Sequence, residues 1–312
     1  VVYLIDASVY VFRAWHAWQG NLTDTEGNPT HALHGFGRFL LDVLERRAPG
    51  HIAVAFDESL DGGMRRRIYP RYKCNREPAP LALRRQFGLC RQFCRHMGVA
   101  EFASSDYEAD DLIGTLAARC RAAGLTVTIV SCDKDLAQLI GPGDVLWDYS
   151  RGSEYRYEQI APRFGVRPER IADYLALRGD SVDNVPGVPG IGPKTAATLM
   201  GVFASLEELF DGLERVAQLP LRGAERLSRR LHEHRDSAYL ARALTRISCD
   251  APLAAEPQAL ARRAPDLSAL ASFCAAQGFG AMLPRQAERL LRSALSHPYP
   301  APAIGVDQAA GE

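Results

Sequence analysis

Asp6, Asp57, Glu108, Asp110, Asp111, Asp133 and Asp135 each follow a short apolar run or open the helical segment after one. VVYLI (1–5) leads to Asp6, HIAVAF (51–56) to Asp57, and TVTIVS (126–131) to Asp133 and Asp135. Glu108, Asp110 and Asp111 stand at the head of a segment whose apolar positions Leu112, Ile113, Leu116 and Cys120 recur at helical spacing. Taken singly, each acid has an ordinary role as a helix N-cap or as a charge favoured by the helix dipole. Taken together they strain that reading, because carboxylates crowded within a few ångströms repel unless cations neutralise them. No lysine or arginine is expected among Asp6, Asp57 and the 108–111 acids where they gather, with Lys134 the one nearby exception. Hard oxygen donors in such excess select Mg²⁺ or Mn²⁺ over zinc.

A second cluster lies in GDSVDNVPGVPGIGPKT, residues 179–195. A phosphate-gripping P-loop needs lysine directly after its second glycine and a buried strand before its first. Here Pro193 separates Gly192 from Lys194, and the preceding RPERIADYLALRG is helical in period, so that reading fails. A glycine hairpin between two helices remains. Gly190 and Gly192 carry no Cβ and let a ligand approach the backbone. Lys194 and Thr195 open the next helix, whose free N–H groups make an anion site. A tight helix–helix turn with no ligand meets the same pattern.

The run RRRIYPRYKCNR, residues 65–76, holds six basic residues, no acid and two tyrosines. Arg65, Arg66, Arg71 and Tyr72 therefore suit phosphate and base contacts, although such runs are also ordinary solvated faces. Cys90, Cys94 and His96 are close in sequence but lack a second pair of ligands, which argues against zinc. The seven scattered cysteines read as reduced thiols of a cytoplasmic protein. Among 312 residues, 47% are apolar and 24% charged, and no apolar run approaches a membrane span.

These side chains need a frame. Five short strand-like runs (1–5, 51–56, 99–103, 126–131 and 144–148) alternate with helical patterns at 31–47, 81–97, 110–123 and 134–140. The alternation predicts an α/β fold, a mostly parallel sheet flanked by helices, with the acids along its C-terminal edge. From about residue 158 the strands stop and helices take over. The predicted division is a catalytic domain over 1–160, a helical module over 161–285, and a disordered tail over 286–312.

With those residues in place, the chain resembles the 5′-nuclease family: the N-terminal nuclease domain of bacterial DNA polymerase I, the phage 5′-exonucleases and the flap endonucleases. LIDASVYVFRAWHA, VAFDE, YPRYKCNREPAP, DYEADDLIGTLA, SCDKDLAQLI and LRGDSVDNVPGVPGIGPKTAA match in family order. The resemblance implies a PIN-like domain with a helical arch over residues 62–98 and a helix-hairpin-helix type module. It implies one metal cluster at Asp6, Asp57, Glu108, Asp110 and Asp111, and another at Asp133, Asp135, Asp180 and Asp183. It gives Arg13, Lys73 and Arg76 contacts to the reacting phosphate or the threaded strand. The glycine hairpin would hold the DNA backbone, with K⁺ on its carbonyls. Ala7, Trp15 and Cys74 depart from the family pattern without removing a charge the chemistry needs. The implied protein is a monomeric enzyme, stand-alone or a trimmed fragment of a polymerase I, without a membrane partner, hydrolysing DNA with a free 5′ end, a flap or a nick, by means of two or more Mg²⁺ or Mn²⁺ ions. A PIN-type ribonuclease and a non-catalytic binder of DNA structure are the alternatives.

Overall fold

The computed structural model describes residues 1–17, 22–58 and 63–296. Residues 297–312 and the first residue of the 62–98 segment lie outside that description. Among the described residues six strands form one sheet: β1 (Val2–Asp6), β2 (His51–Asp57), β3 (Ala100–Ser104), β4 (Val127–Val130), β5 (Val145–Asp148) and β6 (Ser153–Arg156). Their order is β3-β2-β1-β4-β5-β6, parallel throughout except for the antiparallel β5–β6 pair. Strand side chains alternate between faces, so Leu4, Ala53 and Ile129 enter one core while Ile5, Val54 and Val130 enter the other.

The five expected strands form close to their expected bounds, because β1, β2, β4 and β5 are buried apolar runs, while the edge strand β3 is half-buried throughout. β6 is absent from the sequence reading. Its SEYR alternates half-buried with exposed residues at the sheet edge and gives no apolar signal. One face of the sheet is covered by α1 (Ala7–Ala17), α2 (His31–Arg47) and α4 (Leu81–His96), which share a core with it. Short α3 (Gly63–Ile68) precedes α4, and α5 (Ala109–Ala122) covers the opposite face. The expected helix over 134–140 is a 3₁₀ turn, Asp135–Leu139.

Beyond the sheet the chain is helical: α6 (Tyr157–Phe164), α7 (Ile171–Arg178), α8 (Pro193–Val202), α9 (Leu206–Asp211), α10 (Leu213–Ala217), α11 (Ala224–Glu233) and α12 (Arg235–Thr245). Ser205 caps α9, accepting from the Glu208 N–H at 3.2 Å. Leu175, Leu177, Leu199 and Ile247 join the same core as Leu112 and Leu116 of α5, so the module is welded to the sheet rather than tethered.

Three boundaries need correction. The helical module does not run to 285: α13 (Leu267–Ala276) turns back and packs Leu270 and Phe273 with α2 and α4. Nor does a disordered tail start at 286, since α14 (Met282–Ser296) buries Leu283, Ala287 and Leu290 in that core. Finally, α4 lends no residue to the acid cavity: its Leu83, Phe87, Phe93 and Cys94 are core residues, and the cavity takes Arg65, Tyr72, Lys73 and Arg76 from the chain before it.

Candidate active site

Parallel strands bring their C-terminal ends to one edge, and there the acids meet. Asp6 ends β1 and Asp57 ends β2. Glu108 and Asp110 stand at the N-terminus of α5, and Asp133 and Asp135 follow β4. Asp180 and Asp183 come from the loop after α7, where Asp180 and Val185 pair their backbones at 3.0 and 2.7 Å. All eight line one cavity of about 300 Å³.

Local bonds hold several of them. Asp6 accepts from the Ser131 hydroxyl at 2.8 Å and from the Ser8 N–H at 3.2 Å. Asp57 accepts from the Ala109 N–H at 2.8 Å, so it also caps the turn into α5. Asp133 accepts from the Asp135 N–H at 2.8 Å. Asp180 accepts from the Val182 N–H at 2.9 Å. Asp135 Oδ1 is buried with no hydrogen-bond partner. Ser8 and Ser131 are anchors that the sequence reading missed; Ser131, two residues before Asp133, was legible only as the end of a strand.

Burial and mutual repulsion raise the affinity of Asp6, Asp110, Asp133 and Asp135 for protons. Burial, then the neighbouring Asp57 charge, pushes Asp6 up to about 7. Burial and the Asp133 charge push Asp135 up to about 7 as well. Asp110 is held well above the usual carboxylate range by burial and then by Asp133, Asp6 and Asp57, and Asp133 is raised chiefly by burial. A divalent cation would relieve this strain directly. The donor set, hard carboxylate oxygens including one orphaned buried atom, fits such an ion. Among the described residues, no three His, Cys, Asp or Glu side chains already close around a point. The acids line a space, and two of them are drawn to its wall.

That wall is the segment 69–76. Lys73 Nζ lies 2.8 Å from Glu108 Oε1 and 3.8 Å from Asp183 Oδ2, and Arg76 pairs with Asp183. Burial lowers the Lys73 affinity for its proton, but Glu108 and Asp183 outweigh it and hold the ammonium charged. The expectation that no basic residue is interleaved with the acids is therefore wrong, because the cations come from elsewhere in sequence. Hydrogen bonds stitch the wall to the 180–185 loop: the Lys73 N–H donates to Asp183 O at 2.9 Å, and the Asn184 side-chain Nδ2 donates to Arg71 O at 2.7 Å. Lys73 (φ 54°) and Asn184 (φ 55°) both take the left-handed backbone at this seam.

Four further expected residues stand elsewhere or are already engaged. Asp111 is fully buried, and both its oxygens accept from Arg65, at 2.6 and 2.7 Å, while Ser248 N–H donates to it at 2.8 Å. It does not line the acid cavity. Arg65, only 5% exposed, also donates to the carbonyls of Leu244 and Arg246, which leaves it structural rather than a surface contact for DNA. Tyr72 is 3% exposed and donates its hydroxyl to Glu108 at 3.1 Å, so its ring is closed to stacking bases. Arg13 lines a separate cavity between α1 and α2, with Arg38 and Arg46. Arg71 is exposed and Arg66 half-buried. Cys90 and Cys94 are core side chains, and burial pushes both thiols well above the usual range.

The glycine hairpin leads into α8, with Lys194 exposed and Thr195 half-buried in its first turn. Gly192 is open, with nothing near the place its Cβ would take, whereas a Cβ on Gly190 (φ 74°) would run into the Arg230 guanidinium. A closer backbone contact lies earlier. A Cβ on Gly187 would fall 2.5 Å from the Arg178 carbonyl and the Gly179 nitrogen.

The model of the 5′-3′ exonuclease N-terminal resolvase-like domain matches residues 1–165, and that of the 5′-3′ exonuclease C-terminal SAM fold matches residues 166–268. DNA polymerase I of Pseudomonas aeruginosa is 40% identical over 268 residues, covering 86% of this chain but 29% of that protein. The 5′-3′ exonuclease of Buchnera aphidicola subsp. Schizaphis graminum is 32% identical over 252 residues, covering 81% of this chain and 88% of its own length. The chain thus spans under a third of the Pseudomonas polymerase. A zinc-bound structure of T5 5′-exonuclease superimposes with a TM-score of 0.64 at 18% identity, over 93% of this chain and 98% of that one. T5 D15 flap endonuclease, solved with DNA and metal ions, gives 0.60, also at 18% identity, over 94% of this chain and 99% of that one. At that identity the likeness is one of fold.

Proposed function

The chain belongs to the 5′-3′ exonuclease family, and from that premise we propose that it hydrolyses phosphodiester bonds in DNA with a free 5′ end, including flaps and nicked duplexes, with two or more Mg²⁺ or Mn²⁺ ions. The observation that carries this reading is the set of eight carboxylates around one cavity at the sheet edge, with Lys73 in its wall. Asp6, Asp57, Glu108 and Asp110 would hold one ion, and Asp133, Asp135, Asp180 and Asp183 the other. When bound, the ions would supply Lewis acidity for activating water and for neutralising charge on the leaving oxygen.

The protein's own part is positioning and charge. Ser131 and Ser8 fix the Asp6 carboxylate, and the Ala109 N–H fixes Asp57. Lys73 and Arg76 now face Glu108 and Asp183. With those acids engaged in holding cations, the ammonium and guanidinium would be free to bond the phosphoryl oxygens as charge builds there. Gly192, Lys194 and the start of α8 would grip a backbone phosphate without reading sequence, since N–H groups and an ammonium see only phosphate oxygens. Cleavage of a labelled 5′-flap, a nicked duplex and a matching RNA, with Mg²⁺ or with EDTA, tests the reading and separates it from a ribonuclease.

A further inference from the structure

α11 packs Ala224, Leu227 and Leu231 inward and turns Arg226 and Arg229 to solvent, with Arg230 at the margin. Arg222, just before the helix, is exposed as well. Arg222 precedes the helix across Gly223, whose backbone is left-handed (φ 75°), while Arg226 and Arg230 stand one turn apart on one stripe of α11, about 6 Å along its axis. Like charges so spaced repel each other and destabilise an isolated helix. Glu225 and Glu233 lie on the same helix, yet none of these arginines has an ion-pair partner among the described residues. The stripe ends at the glycine hairpin, where the Arg230 guanidinium occupies the space a side chain on Gly190 would need. Exposed Lys194 stands four residues further on, in the first turn of α8.

We propose that α11 is a second contact for the DNA backbone, continuing the phosphate grip of the hairpin along Arg230, Arg226 and Arg222. The inference rests on the nuclease reading and adds to it the partner of this helix, the duplex arm. The guanidinium fork matches phosphate oxygens, and a stripe of such forks fits a polyanion rather than a small anion. Duplex is the occupant, since no Phe, Tyr or Trp lies on AERLSRRLHE to serve as the stacking platform single strands use.

The test is binding of a fluorescent blunt duplex in EDTA, across a salt series, to wild type and to the Arg226→Ala/Arg230→Ala variant. Alanine keeps the helix, and a thermal melt checks the fold. The expected result is several-fold weaker binding and a log–log salt slope shallower by about 1.8, as for two lost phosphate contacts. Arg226→Lys/Arg230→Lys should regain most of the slope. The charge-matched Arg285→Ala/Arg289→Ala variant, on α14, should bind as wild type. Unchanged slope and affinity in the α11 variant would overturn the proposal, as would an equal loss in the α14 variant or an equal loss for single-stranded DNA. If wild type cuts a flap in Mg²⁺ while the α11 variant binds normally, only this inference falls. If wild type neither binds nor cuts, the nuclease reading falls with it.

Discussion

Lys73 is where the chemistry and the wall of the site meet. Its backbone is left-handed, its N–H is bonded to Asp183 O, and its ammonium is shared between Glu108 and Asp183. If it stabilises the transition state, Lys73→Ala should lower single-turnover cleavage at saturating enzyme by far more than it weakens substrate binding. Equal losses in rate and affinity would make it a simple phosphate contact. Arg65 and Asp111 are the contrasting pair. Arg65 reaches the edge of the cavity and Asp110 beside Asp111 lines it, yet Arg65 and Asp111 bond each other in the interior and tie α3 to α5 and to the chain after α12. Removing one partner leaves a buried charge alone. Arg65→Ala should therefore cost about 3–5 kcal/mol in urea unfolding, in the absence of metal and DNA. A loss below about 1 kcal/mol, the range of exposed pairs, would return Arg65 to the surface. Residue type and spacing put both near the site; only the packed structure shows that each satisfies the other.

At the scale of elements, the hairpin is built on two kinds of glycine. Gly179 and Gly187 let the end of α7 and the returning loop touch, backbone to backbone, which fixes Asp180 and Asp183 between them. Gly192 touches nothing and faces outward. Gly187→Ala should therefore destabilise the fold by about 1–3 kcal/mol through overpacking. Gly192→Ala should leave the melting temperature close to wild type. The reverse order would mean that the close approach at Gly187 is not a real constraint. The sequence reading singled out Gly190 and Gly192 because GIG before a proline is a visible motif, and it passed over Gly187, whose need arises from a chain crossing that no local pattern encodes. The same limit explains α14. Its apolar residues Leu283, Ala287 and Leu290 keep helical spacing, but the partner they bury against is α2, more than two hundred residues earlier.

For the whole molecule, the parallel sheet was legible because most of its strands are short buried apolar runs, and the acids were legible because strand ends share an edge. The edge strand β6, the 3₁₀ turn and the cations in the acid cavity were not, since polar edges and long-range ion pairs leave no periodic trace. What the assembled molecule should do is join these scales: an α/β sheet that gathers eight carboxylates, a wall that brings in Lys73, and a helical module that leads the duplex toward them. The most direct test of that claim is cleavage of a 5′-labelled flap substrate by the protein stripped with EDTA and then given Mg²⁺ in steps. The stripped protein should be inactive, and activity should return with Mg²⁺ and release the 5′-flap strand. Cleavage that continues undiminished in excess EDTA, or a fully folded protein that cuts no free-5′-end DNA at any Mg²⁺ concentration, would contradict it.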